Sequence, residues 1–231
     1  MGWGILIITF IGLFIGFVIC QEMFAQRHWR GLVDGGDRWA IRTLVEAEIE
    51  RWRGMRVPKG TNASIWHGIQ TAEVVSVGRD FINLTASAAG ETRAVGGARQ
   101  EVSSPLDEGM KLAAALIERL FYDVPNVRLD VIRVDVYTTF RGADGAPEQK
   151  CILSVLADRA DADALPWDDL LPHEIINRFD ANYLPSEHGA ALAIDPGPPL
   201  RDTEDEGADA DSRPPSRNGA TTHGHDRTVS G

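Results

Sequence analysis

Residues 127–158 read VRLDVIRVDVYTTFRGADGAPEQKCILSVLAD, and two strands joined by a loop are written in them. Over residues 127–140 apolar side chains alternate with polar ones, the period of a strand with one buried face. The alternation changes parity halfway: Val127, Leu129 and Val131 fall on one face, Ile132, Val134 and Val136 on the other. A β-bulge near Val131 and Ile132 would bring both sets to one side. The alternative is a strand covered on different faces in its two halves. Asp144-Gly145 marks a turn within a loop over 141–148. The run CILSVLA at 151–157 is nearly continuous in apolar residues and suggests a central strand.

The loop also sets an expected register. Phe140 pairs near Gln149, which puts Asp135 opposite about Ser154 and Asp130 opposite about Arg159. That register bears on chemistry. Asp130 or Asp135 with Glu148-Gln149-Lys150 has the residue types of a metal-dependent nuclease. Carboxylates would hold a divalent cation and the lysine would position an activated water. The register separates these acids from Lys150 by roughly four or more rungs of about 3.3 Å each. Arg128, Asp130, Arg133 and Asp135 then read as a solvated strand face, with Glu148 and Lys150 at a loop edge.

Upstream lies the best-written helix, residues 105–123. Ser104 suits the N-cap, Pro105 the first helical position and Asp107 the capping-box offset. Leu106, Met110, Ala113, Ala114, Ile117, Leu120 and Phe121 form its apolar stripe. Before it, residues 69–77 and 81–88 have strand character around Gly78-Arg79-Asp80 and read as a hairpin. Residues 90–100 are small and polar, a loop or a weak extra strand. An earlier amphipathic helix starts with Asp37 as N-cap and closes at Gly54, with Ile41, Leu44, Val45, Ile49 and Trp52 on one side. Its polar face mixes both signs, which favours packing on the domain or on a second copy over lying on a membrane.

Past Arg159 two short helical pieces fit, each beginning near a proline. The second, 173–180, puts Ile175, Ile176 and Phe179 on one side. From about Ser186 the apolar pattern is lost and acidic, Pro, Gly and Ser residues dominate. This composition predicts a disordered tail over 186–231. The expected fold class is therefore α+β, a small mostly antiparallel or mixed sheet with helices on one face in the order β-β-α-β-β-α, occupying residues 61–185. In element order alone it resembles small ring-building or ferredoxin-like modules, which implies nothing about activity.

The N-terminus carries a different signal. Residues 2–20, GWGILIITFIGLFIGFVIC, contain no charge. Nineteen residues at about 1.5 Å each span roughly 28 Å, close to the hydrocarbon thickness of a bilayer. A signal peptide would have a positive start, a shorter apolar core and a small-residue cleavage site. Here no Lys or Arg precedes the run, and Val18-Ile19-Cys20 ends it. A transmembrane anchor over 1–21 is the reading, followed by a juxtamembrane segment and the amphipathic helix over 22–60. Trp3 and Trp29 bracket the anchor as interfacial aromatics. Arg27, Arg30 and Arg38 flank only its C-terminal side, so the positive-inside rule puts the N-terminus outside and the large domain in the cytoplasm. Two Asn-x-Ser/Thr triplets, at Asn62 and Asn83, matter only for the opposite topology. Gly12 and Gly16 have the G-x-x-x-G spacing of helices that associate closely.

The totals limit the remaining functions. The 231 residues carry a net charge of −11, which argues against a nucleic-acid partner. Two cysteines, Cys20 and Cys151, are unsuited to pair and fit a reducing compartment. No phosphate loop, nucleophile elbow, cofactor motif or metal motif is present. His67 and His173 read as structural, and His223 with His225 as a weak metal pair at most. Trp167 reads as a cap on the core. Two function classes follow: a membrane-anchored, non-catalytic module that binds a protein partner or its own kind, and a membrane-anchored metal-dependent hydrolase. Protease added to intact cells tests the topology. The large domain survives there and is digested only after the membrane is opened; digestion in intact cells refutes the cytoplasmic assignment.

Overall fold

The computed structural model describes residues 37–95, 98–142, 144–186 and 191–201, and residue 14 alone before them. The expected anchor, with Trp3, Gly12, Gly16, Arg27, Trp29 and Arg30, lies outside these residues, as do His223 and His225. Among the described residues no helix is long and apolar enough to cross a membrane.

The chain is α+β, built on a mixed six-stranded sheet. Helix α1 is Arg38–Gly54 and α2 is Ala63–Gln70. Strands β1, Glu73–Val77, and β2, Phe81–Ser87, form the expected hairpin, closed by a hydrogen bond from Gly78 N–H to Phe81 C=O. Strands β3, Glu91–Val95, and β4, Ala98–Ser103, make a separate two-stranded ribbon where the composition left a loop or a weak strand. Helix α3 is Pro105–Tyr122; β5 is Val131–Arg141 and β6 is Pro147–Asp158. Helices α4, Arg159–Asp163, and α5, Pro172–Ile176, precede β7, Asp180–Pro185, and β8, Ala191–Leu192. The sheet order is β1-β2-β5-β6-β7-β8, with β2 and β5 parallel and the other pairs antiparallel.

Local chemistry places the main helices. Asp37 Oδ1 accepts from the N–H groups of Trp39 (2.9 Å) and Ala40 (3.2 Å), the expected N-cap of α1. Ser104 and Asp107 close a capping box at α3. Asn62 Oδ1 accepts from Ser64 N–H and starts α2, so Ile69 and Gln70 are helical and the strand begins at Glu73. The strand expectation for residues 69–72 is corrected here: α2, capped by Asn62, runs through Gln70 with Thr71 as its C-cap. The first short helix is also displaced. It starts at Arg159, ahead of Leu165-Pro166, because Asp158 ends β6 in an extended conformation.

One face of the sheet meets the helices. Ile82, Leu84, Ala86, Ile132, Val134, Val136, Leu153, Val155 and Ala157 supply it, all almost fully buried. From α3, Leu112, Leu116, Ile117 and Leu120 pack within the same core. Strand β6 is central, between β5 and β7, as its apolar run implied. The parity change in residues 127–136 has a simpler origin than a bulge at Val131. Val127 and Leu129 are buried, but β5 begins only at Val131. Asp130 N–H bonds Asp80 C=O just before the ladder starts. The actual bulge lies in the partner strand. Val136 pairs with Leu153 and Tyr137 with Cys151, so Ile152 is the extra residue and stays buried beside Leu153.

Within this core Glu108 is a charged exception, 2 % exposed. Lys111 Nζ donates to Glu108 Oε1 at 2.7 Å. Burial opposes ionisation of the carboxyl, yet Lys111 and the nearby Ser103 and Ser64 hydroxyls outweigh it and hold the pKa below the ordinary range. A lowered folded-state pKa means that the stabilisation is full above the unfolded carboxyl value and is lost as pH falls through the folded value. Glu108→Gln is therefore expected to flatten the acid limb of the stability curve below about pH 4.5, read as midpoint against pH in chemical denaturation. An acid limb as steep as that of the native chain overturns this.

Candidate functional site

The second face of the sheet is polar, and a segment of chain lies across it. In-register pairing puts Ser76, Asn83, Arg133 and Leu156 in one row, and Glu73, Thr85, Asp135, Ser154 and Asn182 in the next. These residues alternate with the apolar set that meets the helices, so they face away from it. The sequence reading made Arg133 and Asp135 a solvated face. The structure corrects this: Arg133 is 8 % exposed and Asp135 4 %. Residues 194–200, expected to be disordered, cover them. Residues 191–201, past the boundary drawn at Ser186, thus belong to the described structure.

Arg133 is the centre of the contact. Its Nε donates to Asp135 Oδ1 at 3.0 Å, its Nη1 to the Pro198 carbonyl at 2.6 Å, and its Nη2 to the Pro196 carbonyl. Ser154 Oγ donates to the same Asp135 oxygen at 2.6 Å. The carboxylate therefore orients the guanidinium, and the remaining fork is free to read main-chain carbonyls. Further bonds fix the ends of the strap. Ser76 Oγ donates to Leu200 C=O at 3.0 Å, Asn182 Nδ2 to Asp195 C=O at 3.5 Å, and Ile194 N–H to Cys151 C=O at 2.9 Å. All but the last are side chains of the sheet donating to backbone carbonyls of the strap.

Cys151 shares this face through its pairing with Tyr137 and is 3 % exposed. Burial, with Asp135 nearby, pushes its thiol up to about 11. Burial thus favours the protonated thiol, the opposite of the lowered pKa that activates a nucleophilic cysteine. Beside the strap the same face opens into a cleft of about 650 Å³, lined among others by Arg53, Glu73, Thr85, Tyr137 and Gln149. Arg53 is committed within it: Nε and Nη2 donate to the carbonyls of Gln70 and Ala72.

The nuclease-like constellation does not assemble. Asp135 pairs with Ser154, as the register expectation had it, and Arg159 N–H bonds Asp130 C=O. Lys150 pairs opposite Thr138, three residues from Asp135, and its ammonium is 3.1 Å from Glu148. Among the described residues no three His, Cys, Asp or Glu side chains converge on a metal-sized site. His67 lies on α2 and not beside a strand, with Nδ1 3.3 Å from Gln70 Oε1. His173 sits in the first turn of α5, where Glu174 caps by accepting from Leu171 N–H. Trp167 packs against the core and donates to Ala162 C=O, the structural role expected of it.

No protein-family model, curated protein or solved structure matches this chain. The site therefore rests on its own geometry, and the sequence reading missed it. A signal was present: Arg133 and Asp135 sit two apart in a strand whose neighbour carries Ser154, and Asp195-Pro196-Gly197-Pro198-Pro199 is rich in proline and so restricted in its backbone, with Gly197 turning it at a φ of 74°. Nothing local says that the two meet. Removing both charges with Arg133→Met and Asp135→Leu avoids leaving one buried ion alone. In a Cys20→Ser background this pair of changes is expected to keep the fold and speed alkylation of Cys151 by about tenfold or more, since two charge-assisted bonds to the strap are lost. Unchanged labelling would show that Arg133 does not hold the strap.

Proposed function

We propose that the chain is a single-pass membrane-anchored, non-catalytic interaction module whose polar sheet face recognises the main chain of a proline-rich polypeptide segment. One observation supports this most directly. Arg133, nearly buried and oriented by Asp135, uses its fork on the carbonyls of Pro196 and Pro198. That is main-chain recognition of a proline-rich segment, here supplied by the chain itself. Carbonyl contacts tolerate many sequences, which suits a groove that accepts more than one occupant. The anchor over residues 2–20, with Trp3, Arg27, Trp29 and Arg30 at its interfaces, would hold the module to the bilayer with the domain in the cytoplasm. The Gly12/Gly16 face would bring copies together. The partner is then a protein or a second copy, and the net charge of −11 keeps nucleic acid off the list.

A photo-crosslinking residue at Ser76 or Asn182, in the full chain in native membranes, tests the reading. Both positions face the strap, whereas Glu50 on α1 is an exposed control. Intermolecular adducts are expected from the groove positions, in excess of those at Glu50. They should be lost when Arg133→Met and Asp135→Leu are combined. Equal yields at Glu50, or groove adducts indifferent to Arg133, would overturn it.

A further inference from the structure

Strands β2 and β5 run parallel, connected through the ribbon and α3, and they end at different points. β2 leaves the sheet after Ser87, which pairs with Tyr137, whereas β5 runs on to Arg141. Among the described residues, Thr138 and Thr139 therefore have β6 on one side and no strand on the other. A cleft of about 530 Å³ opens there, between α2 and the start of α3. The crevice outside the carboxyl ends of parallel strands is the usual ligand site of crossover folds, and this volume suits a small molecule.

Two side chains of the cleft have polar atoms left to bond. Thr138 is 7 % exposed and lines the cleft. Its hydroxyl has no hydrogen-bond partner among the described residues, so only the cleft can supply one. His67 lines the cleft from α2. Gln70 Nε2 donates to the carbonyls of Trp52, Arg53 and Met55 at 3.2, 3.1 and 3.2 Å, which fixes the amide. Its Oε1, 3.3 Å from His67 Nδ1, can only accept. The proton of the neutral ring is therefore on Nδ1, and Nε2 is left as a bare acceptor.

The lining carries no Asp, Glu, Lys or Arg among the described residues. The N-terminus of α3, which would otherwise attract an anion, is filled by the Asp107 carboxylate of its capping box. Near Ser64 stands Glu108, ionised against Lys111. An anion is thus disfavoured, and no carboxylate lines the cleft to hold a cation.

We infer that this cleft binds a small uncharged molecule bearing an amide-type group. The ligand's N–H donates to His67 Nε2, and its carbonyl accepts from the Thr138 hydroxyl. Ala88, Ala89 and Pro105 face its apolar remainder. The site is separate from the strap and does not depend on the peptide reading above.

Fluorine NMR titrations against the full chain in lipid nanodiscs test this, with empty nanodiscs as the blank. The probes are para-fluorobenzamide, para-fluoroacetophenone and para-fluorobenzoate, matched in size. The amide is expected to bind about three- to tenfold tighter than the ketone, which lacks the N–H, the range of one net hydrogen bond. The charged carboxylate binds weakest. His67→Phe abolishes the preference for amide over ketone. Thr138→Val, which keeps the shape, weakens amide and ketone alike by about three- to tenfold. Equal binding of amide and ketone to the native chain, a preference that survives His67→Phe, or no binding above the blank overturns the inference. So does a preference for the carboxylate, or a Thr138→Val chain with both affinities unchanged. His67 is exposed, so its variant keeps the fold and carries the test alone if Thr138→Val does not fold.

Discussion

Arg133 carries a full charge to a position with little access to water, and the far face of the sheet is organised around that. An isolated guanidinium there would cost several kcal/mol in lost hydration. Asp135 supplies the counter-charge, Ser154 fills a lone pair on that carboxylate, and carbonyls of residues 196 and 198 take two more donors. Each partner comes from a different place: two strands of the sheet and a segment some sixty residues later. The strap is needed because the pair alone leaves the guanidinium fork unspent. The pair is needed because the proline-rich stretch of the strap is held through its carbonyls, which call for donors.

The two faces of the sheet thus do different work. The helical face is a continuous apolar core, in which Ile152 and Leu153 both find room because the bulge in β6 sets them against Val136. It makes the domain stable and rigid. The polar face is covered by a strap and opens beside it into a cleft. A rigid sheet with a polar, partly filled face is a good platform for main-chain recognition, since the donors are fixed before any segment arrives. Nothing among the described residues gathers acids or histidines for metal chemistry, and Cys151 is held far from reactivity by its burial.

Much of the fold was legible because its signals are local. The caps at Asp37 and Ser104 and the stripe of α3 depend on neighbours a few residues apart. So do the β1–β2 hairpin and the apolar run of β6, and all of these formed, with β1 starting at Glu73 and not at residue 69. Asp135 pairs with Ser154 as read, but not for the reason given by the loop: Phe140 pairs with Glu148 and not Gln149, and the bulge at Ile152 makes up the one-residue difference. Three features were not legible. Ile69 and Gln70 join a helix that Asn62 caps, and Thr71 ends it as the C-cap. The parity change before Val131 reflects where β5 starts, a matter of pairing between strands. The polar face was read as solvated because alternation shows which residues share a face and not what covers it. Short-range periodicity and capping chemistry determined the elements and the apolar side of the sheet. Only the tertiary structure decided that Arg133 and Asp135 are buried, because the segment that buries them returns from far along the chain and carries no periodicity of its own.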